Sequence, residues 1–480
     1  MKAKITIYGS HATLTGEYNK YKIREVTSYP VQGYQFSKAF QRGKWDGRKH
    51  LFRPRSGAFP SGLTGSVRRS LEEEGVEVEL EDLRPEPRPG GHGFDLIGIS
   101  FEPPYEYQLS ACQLMVTHKQ GIVKVATGGG KTEIACAVTK YLGLKTLFLV
   151  PSRELMYQSQ KRFIKRLGLS EAEVGIVGDG KWDPGSLVTI ASIQTLESRM
   201  NTPEAQHLIE SAEVLFLDEC HGVGSDTYYT VATLCPAYYR YGLSATPLDR
   251  TDGANLMLIA ATGEMLCDVP LKELVDRGIS PGADIVFDKV TEPVLKKNCR
   301  YPTAYKQGVS ENEQLLDKVV AWTEIFADQG LNVLILCEEI QHGRNIDDAL
   351  WNKPSKMIPH QFIHGTEDTD IRQGALESFS QRRLPVLIAS AILDQGVDTD
   401  AIDALILAGS RKSKIKTLQR LGRGLRGKKL IVVEFANFCH KYLLEHSYQR
   451  MQDYKDEECF PVHHSEPDAE LIKKLWNEQD

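Results

Sequence analysis

Gly121-Ile122-Val123-Lys124-Val125-Ala126-Thr127-Gly128-Gly129-Gly130-Lys131-Thr132 is the stretch on which the fold turns. Gly121 to Val125 reads as a short apolar strand, and Thr132 to Leu142 as the helix that follows a glycine-rich turn. Glycines at 128, 129 and 130 let backbone N–H groups approach phosphate oxygens with no Cβ in the way. Thr127 opens that turn, Lys131 is placed to reach the β- and γ-phosphates, and the Thr132 hydroxyl to ligate Mg²⁺. The helix N-terminus favours the same anion. Val125 stands where the usual pattern has its first glycine.

Three further strings follow in order: Asp218-Glu219-Cys220-His221, Ser244-Ala245-Thr246-Pro247 and Gln419-Arg420-Leu421-Gly422-Arg423-Gly424-Leu425-Arg426. Leu215-Phe216-Leu217 is a buried-strand pattern, so Asp218 and Glu219 fall at a strand's C-terminal end, where parallel α/β sheets place ligands. Asp218 is the candidate Mg²⁺ ligand and Glu219 the candidate base for an attacking water. His221 admits two readings: coupling to Ser244 and Thr246, or simple packing. Arg423 and Arg426 are three apart and share a helix face, and planar guanidinium groups suit charge spread over phosphate oxygens.

Together these strings resemble the superfamily 2 helicases and translocases across roughly residues 100 to 450. The resemblance implies ATP and Mg²⁺ as cofactors, and an α/β fold of two tandem RecA-like parallel-sheet motor domains. Tyr107-Gln108 looks like the family's adenine-reading pair. Pro151, Ser152 and Arg153, with Ser192 and Thr195, look like strand-tracking contacts, and Ser390 opens a string running on to Gly396 and Asp398. Gly396, Asp398 and Gln419 would join the nucleotide site. Gln395 replaces a common acid, so no charge-based role is carried over to it. The Asp-Glu-Cys-His string favours DNA over RNA only modestly.

The amino-terminal strings Gly33-Tyr34-Gln35-Phe36, Gly43 to Phe52 and Pro60-Ser61-Gly62-Leu63 resemble the small domain that precedes the motor in UvsW-type phage helicases, with a T5-like phage as the suggested source. That resemblance implies work on branched DNA, branch migration, recombination proteins as partners, and a monomer. Residues 1–70 hold fourteen Lys and Arg against three acids, a local charge of +11 in a chain of net −6. Lys44, Trp45, Arg48 and Lys49 are candidate duplex contacts, Trp45 equally a core residue of a small domain. Acid gathers at Glu72 to Asp82 and reads as a solvated helix or strand edge.

The expected division is an α+β or mostly β accessory domain at 1–95, motor domains at 96–280 and 281–450, and a helix with a frayed end at 451–480. Because every nucleotide motif lies beyond residue 95, deleting the accessory segment is expected to spare ATPase activity. Arg84 to Gly91 reads as a linker. Nine scattered cysteines without Cys-x-x-Cys fit reduced thiols in a cytoplasm, the host's if the chain is phage-encoded, rather than a disulfide or zinc scaffold. No signal peptide or membrane-spanning run is read. Three functions compete: a branched-DNA helicase, with an RNA helicase as its minor variant; a duplex translocase of restriction type; and a scaffold with a decayed motor. Intact Lys131, Glu219 and Arg423 argue against decay.

Overall fold

The computed structural model describes residues 1–224, 226–248, 255–279, 282–390, 401–409, 430–456 and 459–477. The chain divides into two compact units, Met1–Ala126 with Gly130–Val269, and Thr127–Gly129 with Pro270–Asp480.

In the first unit, strands β1 (Lys2–Ile7), β2 (His11–Gly16), β5 (Ala58–Pro60) and β6 (Glu77–Asp82) form a sheet in the order β5-β2-β1-β6. A separate antiparallel ribbon pairs β3 (Ser28–Pro30) with β4 (Arg48–His50). Helices Lys20–Val26 and Thr64–Glu73 complete an α+β domain. The acidic run is the end of that second helix and the edge strand β6. Its glutamates are answered by β1: Lys2 pairs with Glu77 at 3.0 Å, and Lys4 with Glu79 and Glu81 at 3.0 and 3.2 Å. The amino-terminal +11 is thereby partly neutralised, and its uncompensated part moves away from β1.

The accessory domain is not a detachable module. Its apolar core of Ile5, Leu14, Phe59, Leu63 and Leu71 takes in Ala260, with Leu256 and Ile259 packed against it, all from helix Asn255–Thr262 of the first motor domain. A Cβ on Gly62 would lie 2.1 Å from the Ile259 carbonyl oxygen, so the two backbones touch. The linker is strapped down as well: Arg84 stacks over the Tyr238 ring at 4.4 Å, and Gly90 N–H donates to Leu142 O at 2.8 Å. Deleting residues 1–95 would therefore strip part of the motor's own core, which the sequence expectation left out. Four separate motifs in a chain cannot reveal that a helix is shared.

The first motor sheet contains β7 (Gln120–Val125), β8 (Thr146–Val150), β9 (Val174–Gly178), β10 (Lys181–Asp183), β11 (Val188–Ser192), β12 (Val214–Asp218), β13 (Tyr239–Ser244) and β14 (Met265–Val269). Their order is β10-β9-β11-β8-β12-β13-β7-β14, and all pairings are parallel except the β9–β10 hairpin. Strands β8 and β12 are buried along their whole length, as a sheet with both faces covered requires.

The second unit repeats the design with β15 (Ala283–Val290), β16 (Val333–Cys337), β17 (His360–Ile363), β18 (Val386–Ser390), β19 (Ala404–Leu407), β20 (Leu430–Asn437) and β21 (Val462–His464). The order is β17-β18-β16-β19-β20-β15-β21, parallel throughout. Beyond residue 450, where helix and frayed end were expected, helix Lys441–Asp456 gives way to edge strand β21. Helix Ala469–Asn477 then buries Ile472 and Leu475 in the second core. His463 bonds to Asp284 across β21 and β15, at 2.7 Å.

Candidate functional site

Because β11, β8, β12, β13 and β7 lie side by side and parallel, their C-terminal ends share one edge of the first sheet. That edge carries Ser192, then Pro151 after Val150, then Asp218, Ser244 and finally the turn from Ala126, so residues far apart in sequence become neighbours.

The turn is built as its glycines require. Gly128 and Gly130 have φ of +86° and +85°, a region L side chains avoid. Ala126 N–H donates to Val269 O at 3.0 Å, tying the strand end down. Helix Lys131–Leu142 starts directly after Gly130, and Lys131 Nζ folds back to Val125 O at 3.5 Å, over the turn. Tyr107 and Gln108 are buried on helix Glu106–His118, with Gln108 Nε2 3.3 Å from Tyr107 Oη. A Cβ on Gly130 would lie 2.4 Å from Gln108 Nε2, so the glutamine amide seats against the last glycine of the turn.

Asp218 ends β12 almost fully buried. Burial, and then the charge of Glu219 beside it, push its carboxyl up to about 7, while Lys131 pulls the other way. Such a carboxylate is short of positive charge. With the Thr132 hydroxyl it offers hard oxygen donors of the kind Mg²⁺ takes, and phosphates and water would complete the shell. Among the described residues no group of three or more His, Cys, Asp or Glu could hold a metal.

Glu219 has a left-handed φ of +47°, uncommon for a residue with a Cβ and a mark of local strain. It turns the chain from β12 into the short turn Cys220–Gly224. His221 Nδ1 then lies 3.3 Å from Glu219 Oε2 and 3.3 Å from Ser244 Oγ. Ser244 Oγ in turn accepts from Thr246 N–H at 3.1 Å. A continuous polar path thus runs from Glu219, just after β12, through Ser244 at the end of β13 to the buried Thr246. Tyr228, which the sequence reading did not single out, donates to Asp218 O at 2.8 Å and anchors the strand end.

Next along the edge, Ser152 caps helix Arg153–Leu167 by accepting from Leu155 N–H at 3.3 Å. Arg153 pairs with Asp179 at 3.0 Å. Ser192 Oγ meets Gln194 Oε1 at 2.8 Å, and Gln194 Nε2 donates to Pro151 O at 3.0 Å. Pro151, Ser152, Arg153 and Ser192 therefore form one patch, with Thr195 half-buried on the helix that follows Ser192. In the second unit Ser390 ends β18 and is buried. Gly396, Asp398, Gln419, Arg423 and Arg426 lie outside the described residues.

The accessory candidates divide. Lys44 is exposed. Trp45 is half-buried, its indole N–H donating to Arg48 O at 2.8 Å, which closes the β3–β4 ribbon. Arg48 donates to Ser28 Oγ and Ser28 O at 2.9 and 2.8 Å, and Lys49 Nζ lies 3.7 Å from Met257 Sδ. Trp45 and Arg48 are thus structural members of the ribbon. Among the described residues no helix is long and apolar enough to cross a membrane.

Two family models match in tandem: "Type III restriction enzyme, res subunit" over residues 102–249, and "Helicase conserved C-terminal domain" over residues 314–428. The chain is 26% identical over 393 residues to the DNA 3'-5' translocase XPB2 of Sulfurisphaera tokodaii, covering 75% of this chain and 86% of that one. It is 24% identical to the ATP-dependent DNA helicase uvsW of Enterobacteria phage T4, covering 93% of this chain and 96% of that one. The solved structure of S. cerevisiae Dbp5 bound to RNA and ADP BeF3 superposes with a TM-score of 0.54 at 15% identity, covering 77% of this chain and 92% of that one, a likeness of fold. With the glycine turn, the acidic strand end and the polar path to Ser244 set along one sheet edge, these matches place the chain among the superfamily 2 helicases of the UvsW type, ATP-dependent motors built on two RecA-like domains.

Proposed function

We propose that this ATP-dependent DNA helicase or translocase remodels branched DNA, namely forks, D-loops and four-way junctions. The observation that carries the motor part of the reading is the path Glu219–His221–Ser244–Thr246, which links the proposed hydrolytic base to the segment after β13. Support for branched substrates comes from the match to the T4 helicase, which extends through the accessory domain rather than the motor alone.

The residue roles follow from position. Gly128, Gly129 and Gly130 with the helix N-terminus cradle phosphates, and Lys131 offsets their charge. Tyr107 and Gln108 border the adenine side. Thr132 and Asp218 would hold Mg²⁺, which supplies charge neutralisation at the phosphates when bound. Glu219 orients and deprotonates the attacking water, and its imidazole neighbour His221 holds the carboxylate in place. Arg423 and Arg426, with Gly396, Asp398 and Gln419, keep the nucleotide roles that the resemblance gives them. Pro151, Ser152, Arg153, Ser192, Thr195 and Ser390 would meet the sugar-phosphate backbone, which selects position rather than sequence. The working species is a monomer, with recombination proteins as partners.

A restriction-type duplex translocase is the second reading, favoured by the res-subunit match over residues 102–249. Strand displacement on a fork, a tailed duplex and an RNA duplex, each with and without ATP, separates the two. Fork-selective, ATP-dependent displacement is expected. ATP hydrolysis stimulated by blunt duplex with no strand separation on any substrate would favour translocation alone.

A further inference from the structure

The β3–β4 ribbon carries a seventeen-residue tip, residues 31–47, that packs upon itself. Val31 N–H donates to Gly47 O at 2.9 Å and closes its base. Inside, the Tyr34 and Phe40 rings meet edge to face at 4.8 Å. Tyr34 also sits on Gly47, where a Cβ would lie 2.4 Å from the ring and φ is +77°. Gln41 Nε2 donates to Gln35 O at 3.2 Å, across the short turn that bears Phe36. The tip is therefore ordered by its own contacts, yet Phe36 is 79% exposed. Of the four aromatic rings on the tip, Tyr34, Phe40 and Trp45 serve its packing, and Phe36 alone is largely exposed.

The exposed charge of the tip is mostly positive. Lys38, Arg42 and Lys44 are exposed on the same tip. Asp46 is the tip's acid, and it is already held by His50 Nε2 at 2.6 Å and Arg24 Nη2 at 3.4 Å. The ribbon's root is fixed to the motor: Tyr29 Oη lies 2.8 Å from Met257 Sδ, with both residues buried. A rigid, cationic element bearing one bare aromatic matches the way single-stranded bases are held, ring on ring with phosphates neutralised alongside.

We propose that Phe36 stacks on an unpaired base at a DNA branch point, with Lys38, Arg42 and Lys44 meeting the adjoining phosphates. This rests on the branched-DNA reading above and assigns its recognition element to residues 36–44. Its chemistry differs from the backbone contacts of the motor edge, because a base is engaged directly.

The test uses the full chain and a fork with 2-aminopurine at the unpaired branch position. Stacking quenches that fluorophore in the wild type and in Phe36→Trp. In Phe36→Ala the quench is lost, and fork affinity falls about tenfold more than affinity for plain single strand. Replacing Lys38, Arg42 and Lys44 together with Gln should flatten the logarithmic salt dependence of fork binding by about 2. Thermal unfolding of Phe36→Ala should match the wild type, since an exposed ring carries little packing. If Phe36→Ala quenches and binds forks like the wild type, the proposal is overturned and the ring is free for a protein partner. A lowered melting temperature in Phe36→Ala, with equal affinity losses on every DNA, overturns it in favour of a packing role. A wild-type chain that neither prefers nor opens forks overturns the branched-DNA reading itself, and this proposal with it.

Discussion

Arg69 of the accessory domain and Glu264 of the first motor domain form a two-point ion pair, Nη1 lying 2.7 Å from Oε2. Ser66 Oγ adds a bond to Glu264 Oε1 at 2.8 Å. The pair marks the boundary of a shared core but does not hold it together. An exposed ion pair is worth about 0–1 kcal/mol, whereas each large apolar side chain buried beside it contributes roughly 1.5–3 kcal/mol.

Removing residues 1–95 should for that reason destabilise the motor rather than simply blunt its DNA preference. Leu256, Met257, Ile259 and Ala260 would lose their cover. The expected outcome is a lower unfolding temperature, or aggregation, in the truncated chain. A truncation melting like the full chain would show that the core is not shared in the way the packing implies.

The Arg69 guanidinium holds the Glu264 carboxyl below its usual range. A depressed carboxylate stabilises the fold above its unfolded pKa, about 4.3, and that contribution is lost as pH falls through the folded value. Glu264→Gln should therefore cost up to about 1 kcal/mol at pH 7, and the difference should shrink as pH falls below about 4.3, vanishing once Glu264 is protonated in the folded chain. Urea unfolding of both chains at the two pH values measures it.

Gly130→Ala should abolish nucleotide binding. The new methyl would meet the Gln108 amide, and the backbone stands at a φ of +85°. Fluorescent ATP-analogue titration reads the loss. Gln108→Ala alone, which leaves the glycine turn intact, should weaken adenine-nucleotide binding more than binding of inorganic triphosphate.

Glu219→Gln should bind ATP but turn it over about 10²-fold slower or worse, since it removes the proposed base. Single-turnover hydrolysis separates the two effects. Near-normal turnover would take the base role away from Glu219.

Ser244→Ala cuts the path between His221 and Thr246 N–H. Strand separation per ATP hydrolysed should fall several-fold, a ratio that a general loss of folding would leave unchanged. Fork opening and phosphate release measured in one reaction give the ratio directly.

The motifs of the candidate nucleotide site were legible in the chain because each of them is local. A glycine turn between strand and helix, and an acidic pair at a strand end, each need only a few consecutive residues to declare their chemistry. Strands such as Thr146–Val150 and Val214–Asp218 were equally plain, since a strand buried on both faces is a continuous apolar run. Strand Tyr239–Ser244 was not, for a cation interrupts it. Arg240 is buried there, its Nε donating to Ala261 O at 2.9 Å and its other nitrogens to Cys235 O and Ala232 O, so one guanidinium satisfies the closing carbonyls of two helices. Only the tertiary structure could decide that role, because the partners come from two separate segments. It decided in the same way that His221 faces both Glu219 and Ser244, that Trp45 and Arg48 serve the ribbon, and that Phe36 is left bare. Sequence spacing determines which residues are available for a task; burial and hydrogen-bond satisfaction across distant segments determine which of them are already spent.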